Sequence, residues 1–501
     1  MRFPRFRLSY LLLLLGLLTS KVARAQASRW QNTHPLKVPG DISATMTING
    51  SVYIAGVLTY WAKGSHNPES GRVSTGHNAF VGKWSPTTHR LVWLVKMGNP
   101  IHDDFINRDF ATALVVRGNA VYVLGGFGEQ SAGFGKPIKS TNGYGNNLFV
   151  TRLTDHGTHA TADWTQPLSF PQSDTQACHL ACDGATLYVA GTTETQPTTW
   201  DPATGNMTPH ITRAFVAKLT DTGTQGVLGW RRTWVVSRDY YKVVALAAQR
   251  GQVYLATNTW QPTPHRTEPA SIRELGALPR HADYRLHLTR LSDRGTRYHL
   301  DWTHTEAGQG TNLAIAGNAL YVVGREDADQ SFGQANSPAD PRDVPGDLFV
   351  AKLVVADNIV RPAWVQRLRG TGHDERALFR YVAVRDRHVY VAGTFGTPSL
   401  ALGTTILTNA KSERVSFIGG DLMVAQLTDT GRAGRFDWAQ RLGGEEYDDL
   451  RAFSLAGSRL YVSGFFQGFQ GAPVLLGKQK YLLPYDDDEG VLLQSWLPVS
   501  K

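Results

Sequence analysis

Cysteine is nearly absent. Only Cys178 and Cys182 occur in 501 residues, which is too few for a disulfide framework. Placed four apart on one extended strand, they would stand about 13 Å from each other at about 3.3 Å per residue. A disulfide needs Cα atoms within about 7 Å. The pair therefore reads as two free thiols, small buried hydrophobes that cannot share a metal.

The local signatures of common catalysis are missing too. There is no nucleophile elbow, no His-Glu-x-x-His, no glycine-rich phosphate loop and no Cys-x-x-Cys. The sixteen histidines are scattered, as at His265 and His281. The run Asp486-Asp487-Asp488-Glu489-Gly490 lacks the alternating ligand spacing of a calcium loop and reads as a solvated turn. Asp327-x-Asp329 is weaker still. No cofactor and no metal are expected. No Lys/Arg stripe exists, so nucleic acid is not expected as a partner.

Long apolar runs are lacking after the first 25 residues. Arg2, Arg5 and Arg7 precede the apolar stretch Leu8 to Leu18, and Ala23-Arg24-Ala25 is a small-x-small cleavage site. This reads as a signal peptide over residues 1–25, too short for a membrane span and with no Cys for a lipid anchor. With Lys21 and Arg24 it holds five of the nine net positive charges, leaving +4 for the rest. The mature chain is expected to be exported, to the periplasm, the cell surface or the medium, and to be soluble and monomeric.

What is abundant is repetition. Tyr53, Tyr122, Tyr188, Tyr254, Tyr321, Tyr390 and Tyr461 follow one another at steps of 69, 66, 66, 67, 69 and 71 residues. Six sit in Val/Leu-Tyr-Val/Ile-x-Gly, while Thr257 replaces the glycine in the fourth. Eight and six residues before each Tyr stand mostly apolar residues, such as Leu114 and Val116, with small ones such as Ala181 between them. Period two marks a strand, a. The Tyr run is strand b. Strand c begins at Phe149, Phe215, Phe349 or Met423 and leads into Thr-Asp-x-Gly at Thr154, Thr220 and Thr428, with Ser292 in the fourth copy. Strand d carries Trp93, Trp164, Trp230, Trp302, Trp364 and Trp438.

Four antiparallel strands repeated seven times predict an all-β fold, a seven-bladed β-propeller of four-stranded blades. Residues 26–501 form one domain, with units at about 41–98, 109–169, 174–237, 240–307, 309–370, 374–443 and 449–501. The seventh unit ends at Trp496, on strand c. Trp30 precedes Tyr53 by the same 23 residues that separate Trp438 from Tyr461. Residues 28–35 are therefore expected to add the outer strand of the last blade and clasp the ring.

The pattern resembles the seven-bladed β-propeller repeat family of exported bacterial proteins. The resemblance rests on Gly346 to Leu353, on Trp438-Ala439-Gln440 with Gly443-Gly444 and Asp448, and on Val389 to Phe395 with Leu402-Gly403. Phe134-Gly135, Phe332-Gly333 and Leu476-Gly477 are equivalents of the last pair. It implies fold and export, and no single activity. Ala217 to Gly223 followed by Trp230 is similar to the Trp-docking repeat of quinoprotein dehydrogenases. Seven longer units and the lack of an adjacent Cys pair speak against that kinship.

Two sets of residues are candidates for ligand contact. Asp41, Asp109, Asp174, Asp374 and Asp449 recur where strands a begin and would ring the channel mouth, as a ligand or cation site or as turn residues bonded to nearby backbone. Trp61, Trp200 and Trp260 fall in the long b–c connections, such as Val57 to Asn78, where a Trp stacks on a sugar, anchors a protein or covers its own loop. The function expected is a non-enzymatic binding or scaffold module for a protein or carbohydrate, using that rim. The alternative is a propeller enzyme, a hydrolase, lyase or quinoprotein-like dehydrogenase, with its site at the channel mouth.

Overall fold

The structure is a computed structural model. It describes residues 36–63, 72–97, 109–128, 130–131, 133–135, 137–139, 147–168, 173–195, 200–201, 206–207, 211–235, 241–262, 282–326, 348–356, 359–368, 377–409, 420–444, 448–456, 459–466, 474–476, 479–481 and 489–496.

Each unit folds as its period-two pattern dictates. In the fourth, strand a (Tyr241–Gln249) pairs with b (Gln252–Pro262), b with c (Ala282–Asp293) and c with d (Tyr298–Ala307), all antiparallel. The a–b hairpin turns on Arg250 and Gly251, both at positive φ (53° and 72°), the geometry that suits the strands' right-handed twist. Strands b are buried on both faces, as at Ala120–Phe127, because each blade is sandwiched between neighbours. Inner strands pack in sequence, Leu36–Ile48 beside Phe110–Arg117, that beside Ser173–Asp183, and onward to Asp448–Ala456. The result is a propeller of four-stranded antiparallel blades.

The blade count differs from expectation. The described residues form six blade sheets, not seven. Leu36, Lys37 and Val38 of the first inner strand pair with Leu492, Val491 and Gly490 of the last strand, Glu489–Trp496. The first and seventh units thereby share one seven-stranded sheet. The cause is the edge of Glu489–Trp496, which has no strand d of its own to satisfy its backbone groups. The expected clasp over residues 28–35, Trp30 included, lies outside the described residues. Another sheet gains the hairpin Val474–Leu476/Gln479–Tyr481, laid against Leu442 and Gly443.

Every inner strand carries a β-bulge at the same place. Pairing skips Ser43, Thr112, Val244, Thr311, Arg380 and Arg451, and two residues between Gln176 and His179. The bulge bends the strand and drives a carbonyl against strand b. A Cβ on Gly393 would lie 2.1 Å from the Leu378 carbonyl oxygen, and one on Gly125 2.1 Å from that of Phe110. That close approach is the reason for glycine three residues after six of the seven Tyr.

Candidate functional site

The repeated polar residues serve the fold. Asp155, in the c–d turn of unit two, accepts the Gly157 N–H at 2.8 Å, an Asx-type turn made possible by Gly157 at φ 92°. The same carboxylate receives Tyr53 Oη at 2.7 Å, Trp93 Nε1 at 3.0 Å and Lys83 Nζ at 2.7 Å, all from unit one. Strands b, c and d of one unit thus converge on one acid of the next. Tyr122, Arg152 and Trp164 converge in the same way on Asp221. So do Tyr188, Lys218 and Trp230 on Asp293, and Tyr321, Lys352 and Trp364 on Asp429. Burial pushes the Asp429 carboxyl up, but hydrogen bonds from Lys352, Tyr321, Gly431 N–H and Trp364 outweigh it and hold it at about 2. Burial and the hydrogen bond to Asp221 push the Tyr122 hydroxyl up to about 12.

Three junctions lack this latch. Between units four and five the acid is replaced by Val355. Its N–H donates to the Asn318 carbonyl just as the Asp155 N–H does to Asn119, so the backbone is equivalent and only the side chain differs. Trp302 Nε1 is buried there with no hydrogen-bond partner among the described residues, and Arg290 pairs with Asp301 of its own unit instead. Between units six and seven, Trp438 Nε1 donates to Gln426 in its own unit at 2.9 Å. Between units seven and one, Tyr461 stands edge-on to Trp84 at 6.3 Å.

A different set of residues gathers where the inner strands begin, outside the repeat. Arg380 and Arg451 are the bulge residues of adjacent inner strands, Leu378–Arg385 and Asp448–Ala456. Both reach Asp449, Arg380 NH2 at 3.1 Å from Oδ1 and Arg451 Nε at 3.0 Å from Oδ2. The acid side chain is 6% exposed, the two arginine side chains 40% and 43%. Lys242 is exposed to solvent, yet crowding by protein atoms, and secondly the charge of Arg380, lowers its pKa. Lys242 and Arg380, two units apart, thus stand within electrostatic reach of each other. Half-buried Tyr381 donates its hydroxyl to the Arg451 carbonyl, and burial raises it to about 12. His179 donates from Nε2 to the Val243 carbonyl at 3.3 Å, and burial holds it near 4, uncharged.

The acids expected to ring the mouth are not equivalent to one another. Counted back from the unit's Tyr, Asp41 and Asp449 stand at twelve, Asp109 at thirteen and Asp174 at fourteen. Asp41 is partly exposed, opposite Val57. Asp109 is 5% exposed and accepts a hydrogen bond from Ser131 at 2.7 Å, and burial lifts its carboxyl to about 6. Asp174 pairs opposite Glu194 on strand a, and Asp374 lies outside the described residues. The tryptophans expected in loops are on extended backbone. Trp61 pairs with Ser74 and Trp260 with Tyr284, because strands b and c run on as hairpins beyond the blade. Trp200 belongs to a two-stranded hairpin with Met207. Cys182 is a free thiol, half-buried rather than fully buried, and the Cys178 side chain lies outside the described residues. Among the described residues no group of three or more His, Cys, Asp and Glu could hold a metal ion, and no helix is long and apolar enough to cross a membrane.

Lys242, Arg380 and Arg451 were not singled out in the sequence. For Arg380 and Arg451 the signal available was departure from the repeat, since ten residues before the Tyr the other units carry Ser43, Thr112, Cys178, Val244 and Thr311, while Lys242 stands at twelve, where the first and seventh units carry Asp41 and Asp449.

No protein-family model matches the chain, and no curated protein does. Solved structures similar to it share little sequence. A protein from Lactobacillus plantarum is 9% identical with a TM-score of 0.41, over 87% of this chain and 98% of that one. The polysaccharide lyase Uly1 is 9% identical with a TM-score of 0.46, over 91% and 90%. Trypanosoma rangeli sialidase in complex with the inhibitor DANA is 7% identical with a TM-score of 0.38, over 94% of this chain and 60% of the sialidase chain.

Proposed function

We propose that this chain is an exported ligand-binding propeller that works through the face where its inner strands begin. The observation that carries this reading is the cluster of Arg380, Asp449, Arg451 and Lys242. It breaks the repeat, it lies apart from the Tyr–Trp–Asp latches although Arg380 reaches across to Asp449 of the next unit, and it combines solvent access with desolvation. Long b–c connections leave from the same end, since each strand b ends beside the start of its strand a. A rigid blade stack beneath a variable rim is a scaffold for recognition rather than for motion.

A glycan and peptide array probed with the mature protein tests the reading. A bound ligand should be lost on Lys242→Glu or Tyr381→Ser. Array ligands indifferent to both substitutions would refute it.

A second reading, an enzyme, is favoured by one observation. Asp109, with its carboxyl at about 6, sits where a general acid would need to be tuned. Turnover of an array ligand that disappears in Asp109→Asn would select that reading.

A further inference from the structure

The cluster has a definite charge balance. Arg380 and Arg451 bring two guanidiniums to one carboxylate, each within 3.1 Å of Asp449. Lys242 adds a third cation within reach of Arg380. Asp41 occupies, in the first unit, the position that Asp449 occupies in the seventh, and no contact joins it to these cations among the described residues. Asp449 is sunk, the Arg451 side chain is exposed, and Arg380 is half-buried, its Nε buried without a hydrogen-bond partner among the described residues. Each guanidinium has five N–H donors, and Asp449 engages one or two of them. The donors that Asp449 leaves open, with Lys242 within electrostatic reach of Arg380, make this face cationic. Planar forks of N–H donors match a planar oxyanion better than any neutral polar group.

We infer that the ligand bound on this face carries a carboxylate, seated against Arg380 and Arg451, with Asp449 acting as a fixed internal counter-ion that holds the two guanidiniums in place. The inference rests on the reading of that face as the binding surface. Asp449 plays two parts. It orders the forks, which lowers the entropic cost of binding, and its own charge opposes the incoming anion.

Titration calorimetry with sodium glucuronate, using glucose as the neutral control and sulfate as the tetrahedral one, tests this on the mature protein. Wild type should bind glucuronate and ignore glucose. Arg451→Gln, a change at an exposed side chain, should weaken binding at least tenfold, and Arg451→Lys should recover only part of it. Asp449→Asn should shift the affinity, whereas a merely structural Arg451 would leave it unchanged in all three variants. Sulfate binding as tight as glucuronate would replace carboxylate by oxyanions in general and overturn the stated class. Should wild type ignore glucuronate while an array ligand without charge is lost on Tyr381→Ser, the inference fails and the reading of the face stands. Should neither respond to substitutions on this face, both fail.

Discussion

Tyr188 donates its hydroxyl proton across a unit boundary to Asp293, 105 positions along the chain, at 2.7 Å. Lys218 and Trp230 from the same unit meet the same carboxylate, at 2.7 and 2.9 Å. The residues that repeat most visibly, Tyr and Trp, are therefore the two arms of one joint, and the Asp of the following turn is its pin.

Removing the pin should cost more than removing an arm. Asp293→Ala leaves Trp230 Nε1 without its partner and Lys218 with only the Gly295 carbonyl, and is expected to destabilise by about 3 kcal/mol. Tyr188→Phe loses one hydrogen bond, about 1 kcal/mol. Urea unfolding of both variants checks the order. Equal losses would mean that the joint is packing alone.

The joint absent between units four and five can be supplied. Val355→Asp places a carboxylate where Tyr254, Trp302 and Arg290 stand, on a backbone already bonded to Asn318 as its equivalents are. A gain of about 1–2 kcal/mol is expected, and it should largely vanish in a Trp302→Phe background. A drop in melting temperature, or a gain indifferent to Trp302, would contradict the joint.

Strand positions, the Tyr and Trp ladders and the turn aspartates were legible because each recurs with period and spacing intact. The number of separate sheets was not. It depends on Leu36 to Val38, the start of the first inner strand, pairing with the edge of Glu489–Trp496, an edge that the Trp30 spacing assigned to residues 28–35. The role of Asp155 and its equivalents was hidden for a related reason. A Thr-Asp-x-Gly turn looks self-sufficient in sequence, and only packing brings a second unit onto its free oxygen. The acids at the starts of the inner strands misled in the other direction. Asp109 and Asp449 look alike in sequence, yet one is clamped by Ser131 and the other by two arginines.

The glycine within strand b tests the bulge. Gly393→Ala puts a Cβ 2.1 Å from the Leu378 carbonyl oxygen and should cost about 2–3 kcal/mol. Thr257→Gly, at the one unit that has no glycine there, should change stability far less. A tolerated Gly393→Ala would show that the inner strand yields freely.

Asp109 makes a prediction in pH. Burial raises its carboxyl from 3.8 to about 6 in the folded chain, against the pull of Ser131. The protonated form is thus the one that the fold prefers. Its contribution is complete below the unfolded value of 3.8 and is lost as pH rises through about 6. Asp109→Asn is neutral throughout, so its melting temperature relative to wild type should be higher at about pH 7.5 than at about pH 3.5. A difference independent of pH would place the carboxyl in water.

In the proposed division of labour, repeated polar residues join units and the unrepeated cations bind an anion. One thermal-shift experiment with and without glucuronate, on Asp155→Asn and Arg451→Gln side by side, addresses it directly. Asp155→Asn should melt lower than wild type and keep the full ligand-induced shift. Arg451→Gln should melt as wild type does and lose that shift. The reverse pattern, or loss of both properties in both variants, would contradict the account.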